Sequence, residues 1–247
     1  MMLNYGRDLW ETIKKNSSDL FFQKTKECVL CGQGKGPVCI SCMDNDLRPQ
    51  APRCKQCGRF IQEENFLCQD CIQGGGPIYL AGITALGYYQ GRWKEYIHQF
   101  KFYSQPYLLV PLEKAVINWA VRKLPPPDLL IPVPMSEKRI SERGFNQAEV
   151  LASLLARALL IRQEDGLQRI RETTPQVSLG RQERLKNLKG AFQLRPNFNV
   201  AAKVIWLADD VTTTGTTFNE CAKVLMEAGA EKVYGFCLAA GGAGPEE

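Results

Sequence analysis

The stretch Lys203-Val-Ile-Trp-Leu-Ala-Asp-Asp-Val-Thr-Thr-Thr-Gly-Thr-Thr217 constrains the fold of this chain more than any other. Val204 to Ala208 is a short apolar run with β-branched and aromatic residues, the pattern of a strand covered on both faces in a parallel sheet. From Thr216 the period changes. Phe218, Cys221, Val224, Leu225 and Ala228 recur at helical spacing, and Gly229 is placed to close the helix. Strand, polar loop and helix in that order predict an open α/β sheet, with Asp209, Asp210 and the Thr/Gly run at the strand's carboxyl end, where such sheets bind ligands.

A loop entering a helix presents N–H groups without intrahelical partners and the positive end of the helix dipole, which together attract an anion. Gly215 lets backbone approach a phosphate closely, and Thr212, Thr213, Thr214, Thr216 and Thr217 add hydroxyl donors, so Val211 to Thr217 is the expected phosphate loop. Carboxylates facing a phosphate would repel it. Asp209 and Asp210 suit vicinal hydroxyls, or a metal bound to them. A ribose 5-phosphate carries both features, a diol at one end and a phosphate at the other. A solvated Asp-Asp turn with a threonine N-cap is the plainer alternative, and the full run of acids, threonines and glycine weighs against it. The run resembles the phosphoribosyl-diphosphate signature of type I phosphoribosyltransferases. Asp209, Asp210, Thr213, Thr214, Gly215 and Thr217 fall on that pattern, while Thr212 stands where many members carry an aliphatic residue.

Eight of the ten cysteines form four Cys-x-x-Cys knuckles: Cys28/Cys31, Cys39/Cys42, Cys54/Cys57 and Cys68/Cys71. In a reducing compartment such pairs bind metal more often than they form disulfides. A two-residue gap lets both thiolates of a knuckle meet one tetrahedral zinc, so eight thiolates imply two structural Zn²⁺ sites. Sequential pairing is favoured, with Cys28, Cys31, Cys39 and Cys42 on one ion and Cys54, Cys57, Cys68 and Cys71 on the other; interleaved pairing stays open. Redox chemistry calls for one pair beside a βαβ unit, not four in a loop-rich segment. A segment this small and polar depends on its metals for folding, about 10 kcal/mol or more per structural site.

With 247 residues the chain can hold one sizeable α/β core and a small extra domain. The expected division is a helical lead over 1–27, a double zinc ribbon over 28–73, a linker rich in glycine ending at Pro77, and an α/β domain over 78–247. Lys plus Arg exceeds Asp plus Glu by 31 to 26, a mild excess that suits an anionic ligand and does not by itself demand nucleic acid. No apolar stretch approaches the roughly 18 residues of a membrane span, and a cytoplasmic location is expected.

Beyond the linker, Ile83 to Tyr89 reads as a strand and Trp93 to Phe102 as a helix with Trp93, Tyr96, Ile97 and Phe100 inward; His98 takes a surface role. A second helix runs from about Leu108 to Lys123, and Pro125-Pro-Pro127 stops it. Leu129 to Ile131 is the next buried strand, entering the turn Pro132-Val-Pro134. Lys138, Arg139 and Arg143 follow, with Gly144-Phe-Asn-Gln147 opening a long helix whose stripe is Val150, Leu151, Leu154, Leu155, Ala158 and Leu159. Arg143 beside Gly144 at a helix start is where arginine and N–H groups can share a diphosphate. Between Met135 and Gly190 eleven basic residues face seven acidic ones, which accounts for most of the chain's net charge of +5. Lys232 to Leu238 is a further strand, and Cys221 and Cys237 are packing residues.

The knuckles, the Pro-Val-Pro turn, Arg143-Gly-Phe-Asn-Gln147, the run Arg171, Thr174, Gln176, Arg184, Asn187 and Phe192, and the Asp-Asp-Val-Thr-Thr-Thr-Gly loop occur in the order that resembles the ComF family of competence proteins. That resemblance implies a double zinc ribbon joined to a Rossmann-like, parallel-sheet type I phosphoribosyltransferase domain. It implies binding of 5-phosphoribosyl 1-diphosphate with Mg²⁺: ribose hydroxyls on Asp209 and Asp210, and diphosphate on Lys138, Arg139, Arg143 and Arg171. It also implies a place in natural competence and DNA uptake, beside a helicase and other DNA-uptake proteins, with incoming single-stranded DNA as a partner. Arg181, Arg184 and Lys189 are the candidate DNA contacts. Two alternatives stand beside this reading: a phosphoribosyltransferase of nucleotide salvage, and a sensor that binds the diphosphate sugar without turning it over. No residue in the sequence names an acceptor base, and none is assigned a catalytic role.

Overall fold

The computed structural model describes residues 27–33, 35–49, 52–61, 67–102, 106–172 and 187–241. The expected helical lead lies outside the described residues except for Glu27, as do Thr174, Gln176, Arg181 and Arg184.

Five strands pair in parallel in the order β1 (Gly82–Tyr88), β7 (Lys232–Ala240), β6 (Val204–Thr212), β2 (Leu129–Pro132) and β3 (Arg162–Gln163). Every residue of β1 and of β2 is buried, as expected of strands covered on both faces. On β6 the period-two alternation splits the side chains. Trp206 and Ala208 join a core built with α3 (Gly91–Phe102), α4 (Leu109–Lys123) and α6 (Gln147–Leu159), while Ile205 and Leu207 pack with α7 (Thr216–Glu227) on the other side. Trp93, Tyr96, Ile97 and Phe100 are all buried on α3, and His98 is exposed. Ala158, expected on the α6 stripe, is exposed at the helix end, where Leu160 turns out of the helix in the left-handed conformation. Cys221 and Cys237 are fully buried.

The structure departs from the sequence reading in two places that matter for the site. β6 does not stop at Ala208. Its pairing with β7 continues through Asp209↔Cys237 and Thr212↔Ala240, so the acids sit in the strand and the loop is shorter than expected. Arg143 does not open a helix but ends a short one, α5 (Glu137–Arg143), because Gly144 takes φ +79 and closes it; Asn146 then caps α6, accepting from the N–H of Ala148 at 3.1 Å. An antiparallel ribbon, β4 (Leu167–Arg169) with β5 (Phe192–Leu194), lies beside α7.

The thiol-rich segment carries two short helices, α1 (Ile40–Asn45) and α2 (Gln69–Ile72), each starting just after a cysteine. Its first half shares the main core: Leu30, Val38 and Leu47 are buried with Trp93 and Tyr96, and Arg92 donates to the Leu30 carbonyl at 2.7 Å. Its second half packs on the start of the sheet, with the Phe60 ring edge-on to Tyr88 at 4.2 Å.

Candidate functional site

The carboxyl edge of β6, the turn after β2 and the start of α7 enclose a cavity of about 550 Å³. Thr213 and Thr214 cross from β6 to α7, and Gly215, at φ +74, is the N-cap residue without a side chain to fill the first turn. First-turn amides have no intrahelical acceptors, and this twelve-residue helix directs its positive end at the loop. The hydroxyls of Thr214 and Thr216 lie 2.7 Å apart. The expected loop residues Thr212, Thr213, Thr214, Gly215, Thr216 and Thr217 all line the cavity, with Val211.

Asp209 and Asp210 also line it, but alternation along β6 places them in different company. Asp210 meets the Lys101 ammonium at 3.0 Å, with both side chains largely withdrawn from water. Lys101, in the last turn of α3, lies 5.8 Å over the Tyr89 ring, and its carbonyl accepts from Gln147 at 3.3 Å. Asp209 accepts the Asp210 N–H at 2.8 Å. Burial, reinforced by the Asp210 charge, lifts the Asp209 carboxyl to about 7. One acid is thus an ion-pair partner and the other a carboxyl poised near neutrality.

Part of the cavity wall is cationic, with Glu142 among the arginines. Arg139 and Arg143 reach it from α5, and Arg169 from β4. Burial and the nearby Arg139 charge press the Arg169 pKa downward, although a guanidinium stays protonated. Asn146 fixes this wall to the strand end by donating its amide to the Val133 carbonyl at 3.1 Å. Lys138 is exposed on α5 and does not line the cavity. Neither does Arg171: its guanidinium donates to the carbonyls of Asn187 at 2.8 Å and Lys189 at 3.0 Å, tying the two sides of the β4–β5 ribbon together. Lys189 is exposed beside that tie. Lys101, Tyr89 and Arg169 were not singled out by sequence. Lys101 sits in a helix legible only by its apolar face, and no spacing links it to Asp210 across more than a hundred residues.

The eight knuckle cysteines gather sequentially, as Cys28, Cys31, Cys39 and Cys42, and as Cys54, Cys57, Cys68 and Cys71, with the sulfurs of each set within 4.8 Å of one another. A tetrahedral zinc with bonds of about 2.3 Å sets its sulfurs about 3.8 Å apart. The Sγ separations are 3.7 Å for Cys31–Cys39 and 3.6 Å for Cys54–Cys71 and for Cys57–Cys68, which fits that geometry and is far too long for a disulfide. Within the second set the thiols are coupled: a hydrogen bond from Cys57 pulls the Cys54 thiol down, while that same bond raises Cys57 and burial raises Cys71. Each set can hold one such ion.

Sheet order, loop and cavity together define the type I phosphoribosyltransferase-like class, with two four-cysteine sets on its N-terminal side. The chain is 30% identical over 221 residues to the DNA utilization protein YhgH of Escherichia coli O6:H1, covering 85% of this chain and 95% of that one. It is 33% identical over 196 residues to competence protein F of Haemophilus influenzae (76% and 84%), and 28% identical over 232 residues to competence protein ComFC of Streptococcus pneumoniae (86% and 99%). The chain belongs to this ComF family of competence and DNA utilization proteins. No family model matches it. Among solved structures, a purine phosphoribosyltransferase from Pyrococcus horikoshii overlaps 53% of this chain and 72% of its own at 16% identity and TM-score 0.36. The glutamine phosphoribosylpyrophosphate amidotransferase of B. subtilis overlaps 50% and 24% at 20% identity and TM-score 0.35. These overlaps are too loose to add to what sheet order and loop already say. Among the described residues, no helix is long and apolar enough to cross a membrane.

Proposed function

We propose that the cavity binds 5-phosphoribosyl 1-diphosphate with Mg²⁺, in a protein that handles incoming single-stranded DNA during natural competence. The observation that carries the first part is the distribution of charge in one cavity: an anion-accepting loop at Thr213 to Thr217, acids at Asp209 and Asp210, and the cations Arg139, Arg143 and Arg169 in the same lining. A 5-phosphate, a ribose diol and a diphosphate match these three parts in order. The carboxylates are hard oxygen donors of the kind Mg²⁺ accepts through one or two ligands plus the substrate's own oxygens. When bound, Mg²⁺ would neutralise diphosphate charge. Lys101 holds Asp210 in place through the ion pair at 3.0 Å, and the arginines orient the diphosphate away from the loop. Two Zn²⁺ ions, one per four-cysteine set, hold the N-terminal segment as a double ribbon, and we place the domain division at 73–77.

The second part follows the names of the relatives, which speak of competence and DNA utilization. Single-stranded DNA binds weakly and with a clear salt dependence, since the basic excess is modest and each phosphate contact releases a counterion. Arg181, Arg184 and Lys189 are its proposed contacts, and a helicase and other DNA-uptake proteins its proposed neighbours.

Calorimetry decides the ligand. Asp209→Asn with Asp210→Asn removes two charge-assisted hydrogen bonds of about 1.5–3 kcal/mol each, so affinity for the diphosphate sugar falls by roughly two to four decades. Gly215→Val blocks ribose 5-phosphate as well, because a side chain at φ +74 would meet Ile83 and Pro77 at 3.1 and 3.3 Å. Unchanged affinity for both ligands in the folded double Asn variant would sink the assignment.

A further inference from the structure

The second four-cysteine set and the phosphate loop share two residues, Pro77 and Ile83. On the metal side, Gln56, inside the knuckle Cys54–Cys57, donates its amide to the Pro77 carbonyl at 2.8 Å. Lys55, from the same knuckle, accepts the Ile83 N–H at 3.3 Å. The intervening chain lies directly on the sulfurs: a Cβ at Gly76 would stand 2.6 Å from Cys71 Sγ and 3.0 Å from the Gln56 carboxamide carbon, so only glycine fits there. On the loop side, the site a Cβ would take at Gly215 is 3.1 Å from Ile83 Cδ1 and 3.3 Å from Pro77 Cγ. The same strap is pinned to the helix behind the loop, since Asn219 of α7 accepts the N–H groups of Ile78 at 2.8 Å and Tyr79 at 3.1 Å.

A left-handed Gly215 aims the amides that follow it; its carbonyl accepts the Asn219 N–H at 2.8 Å, and its wide conformational range is narrowed further by what packs against it. Pro77 and Ile83 are those neighbours, and their own positions are set by the knuckle. We propose that the Cys54/Cys57 knuckle is a positioning element of the sugar-phosphate site: through Gln56, Pro77 and Ile83 it holds Gly215 in the conformation that receives the 5-phosphate. Metal on Cys54, Cys57, Cys68 and Cys71 therefore governs phosphate affinity across the boundary at 73–77. This rests on the loop being the 5-phosphate site. It also predicts the opposite of independent domains, in which loss of the second metal would spare sugar-phosphate binding.

The test uses the full chain, loaded with zinc, and Gln56→Ala, which leaves all eight cysteines in place. Amide hydrogen exchange of the segment 213–219 is read without ligand, and calorimetry is run with ribose 5-phosphate and with inorganic diphosphate. The expected result is faster exchange at 213–219, about tenfold weaker ribose 5-phosphate binding, the loss that one hydrogen bond of typical net worth produces, and unchanged diphosphate binding at the arginine wall. Gln56→Lys, which restores a donor of similar reach, recovers both signals; a merely destabilised ribbon would not be rescued so selectively. Chelation that empties the second set should enlarge the same changes. If chelation also deprotects β6 and β7, Gln56→Ala alone judges the coupling. Unchanged exchange at 213–219 and unchanged ribose 5-phosphate affinity in Gln56→Ala overturn the proposal. If the wild-type chain binds no ribose 5-phosphate, the proposed ligand falls, while the exchange measurement still decides whether knuckle and loop are coupled.

Discussion

The thiol-rich segment and the carboxyl edge of the sheet are built on opposite principles. In the segment the chemical groups are the structure. Around Cys54, Cys57, Cys68 and Cys71, among the described residues, Ile61 is the one partly buried apolar side chain packed on the set, and shape comes from the thiols and from polar ties such as Arg59–Asp70 at 2.6 Å. At the sheet edge the chemical groups are passengers. Asp209 and Asp210 ride on a nine-residue strand whose other end is filled by Ile205, Trp206 and Leu207, all buried in the core. Removing ligand-binding groups should therefore unfold the first region and only silence the second.

The largest effect should come from the first four-cysteine set, where the contrast is sharpest because Leu30, Val38 and Leu47 carry it into the main core. Cys39→Ser with Cys42→Ser should lose several kcal/mol of global stability, given about 10 kcal/mol of metal-binding free energy per structural site. Thermal unfolding followed by tryptophan fluorescence checks this, since Trp93 lies in that core. A melting temperature within a few degrees of wild type would show that the α/β body stands without its ribbon.

Lys101→Met tests how rigidly the sheet edge holds its passengers. It leaves Asp210 without the cation 3.0 Å away and should cost about 2 kcal/mol at neutral pH, less than a fully buried pair because the cavity admits water. In an Asp210→Asn background the same change should cost almost nothing, and that non-additivity in denaturant unfolding is the reading that matters.

A smaller effect of distinctive sign attaches to Asp209. Its folded carboxyl is raised to about 7 from an ordinary 3.8, so between those values the folded state holds a proton that the unfolded chain has released. Stability is full below about pH 4 and falls as pH rises through 7. Asp209→Asn should flatten that decline and, at pH 8, stabilise the ligand-free protein by about 1–3 kcal/mol, less than the whole shift implies because solvent reaches the cavity. A melting temperature that rises with pH from 5 to 8 in wild type would contradict this.

The smallest effect separates two arginines. Arg143→Ala should weaken diphosphate binding at least tenfold, whereas Arg171→Ala should leave it within about twofold and loosen the β4–β5 ribbon by about 1 kcal/mol. Equal losses of diphosphate affinity would return Arg171 to the cavity wall.

Much of this was legible from residues alone. The apolar run at Val204, the helical spacing from Phe218 and the Thr/Gly crossing between them depend on local periodicity and backbone chemistry, which neighbouring residues specify on their own. The knuckles are legible for the same reason, since two thiols three residues apart can meet one ion whatever surrounds them. Local sequence ends β6 too early because Asp209 to Thr212 owe their strand conformation to pairing with Cys237 to Ala240, a partner the local sequence does not reveal. From sequence Arg143 reads as opening a helix because a glycine after it suits an opening as well as a close; the left-handed backbone of Gly144 decides for the close.

By itself, then, the sequence determined the kind of chemistry: two four-thiol sets, a strand-borne pair of acids, an anion loop and a basic stretch between them, each encoded within a few residues. Tertiary structure decided which of these meet. It brought Lys101 to Asp210, chose Arg169 rather than Arg171 for the cavity wall, made the two acids unequal, and laid Gly76 against a cysteine sulfur one residue from Pro77, which touches the phosphate loop. The pairings of Lys101 with Asp210 and of Pro77 with Gly215 each span more than a hundred residues, and chain packing rather than local propensity sets contacts at such range.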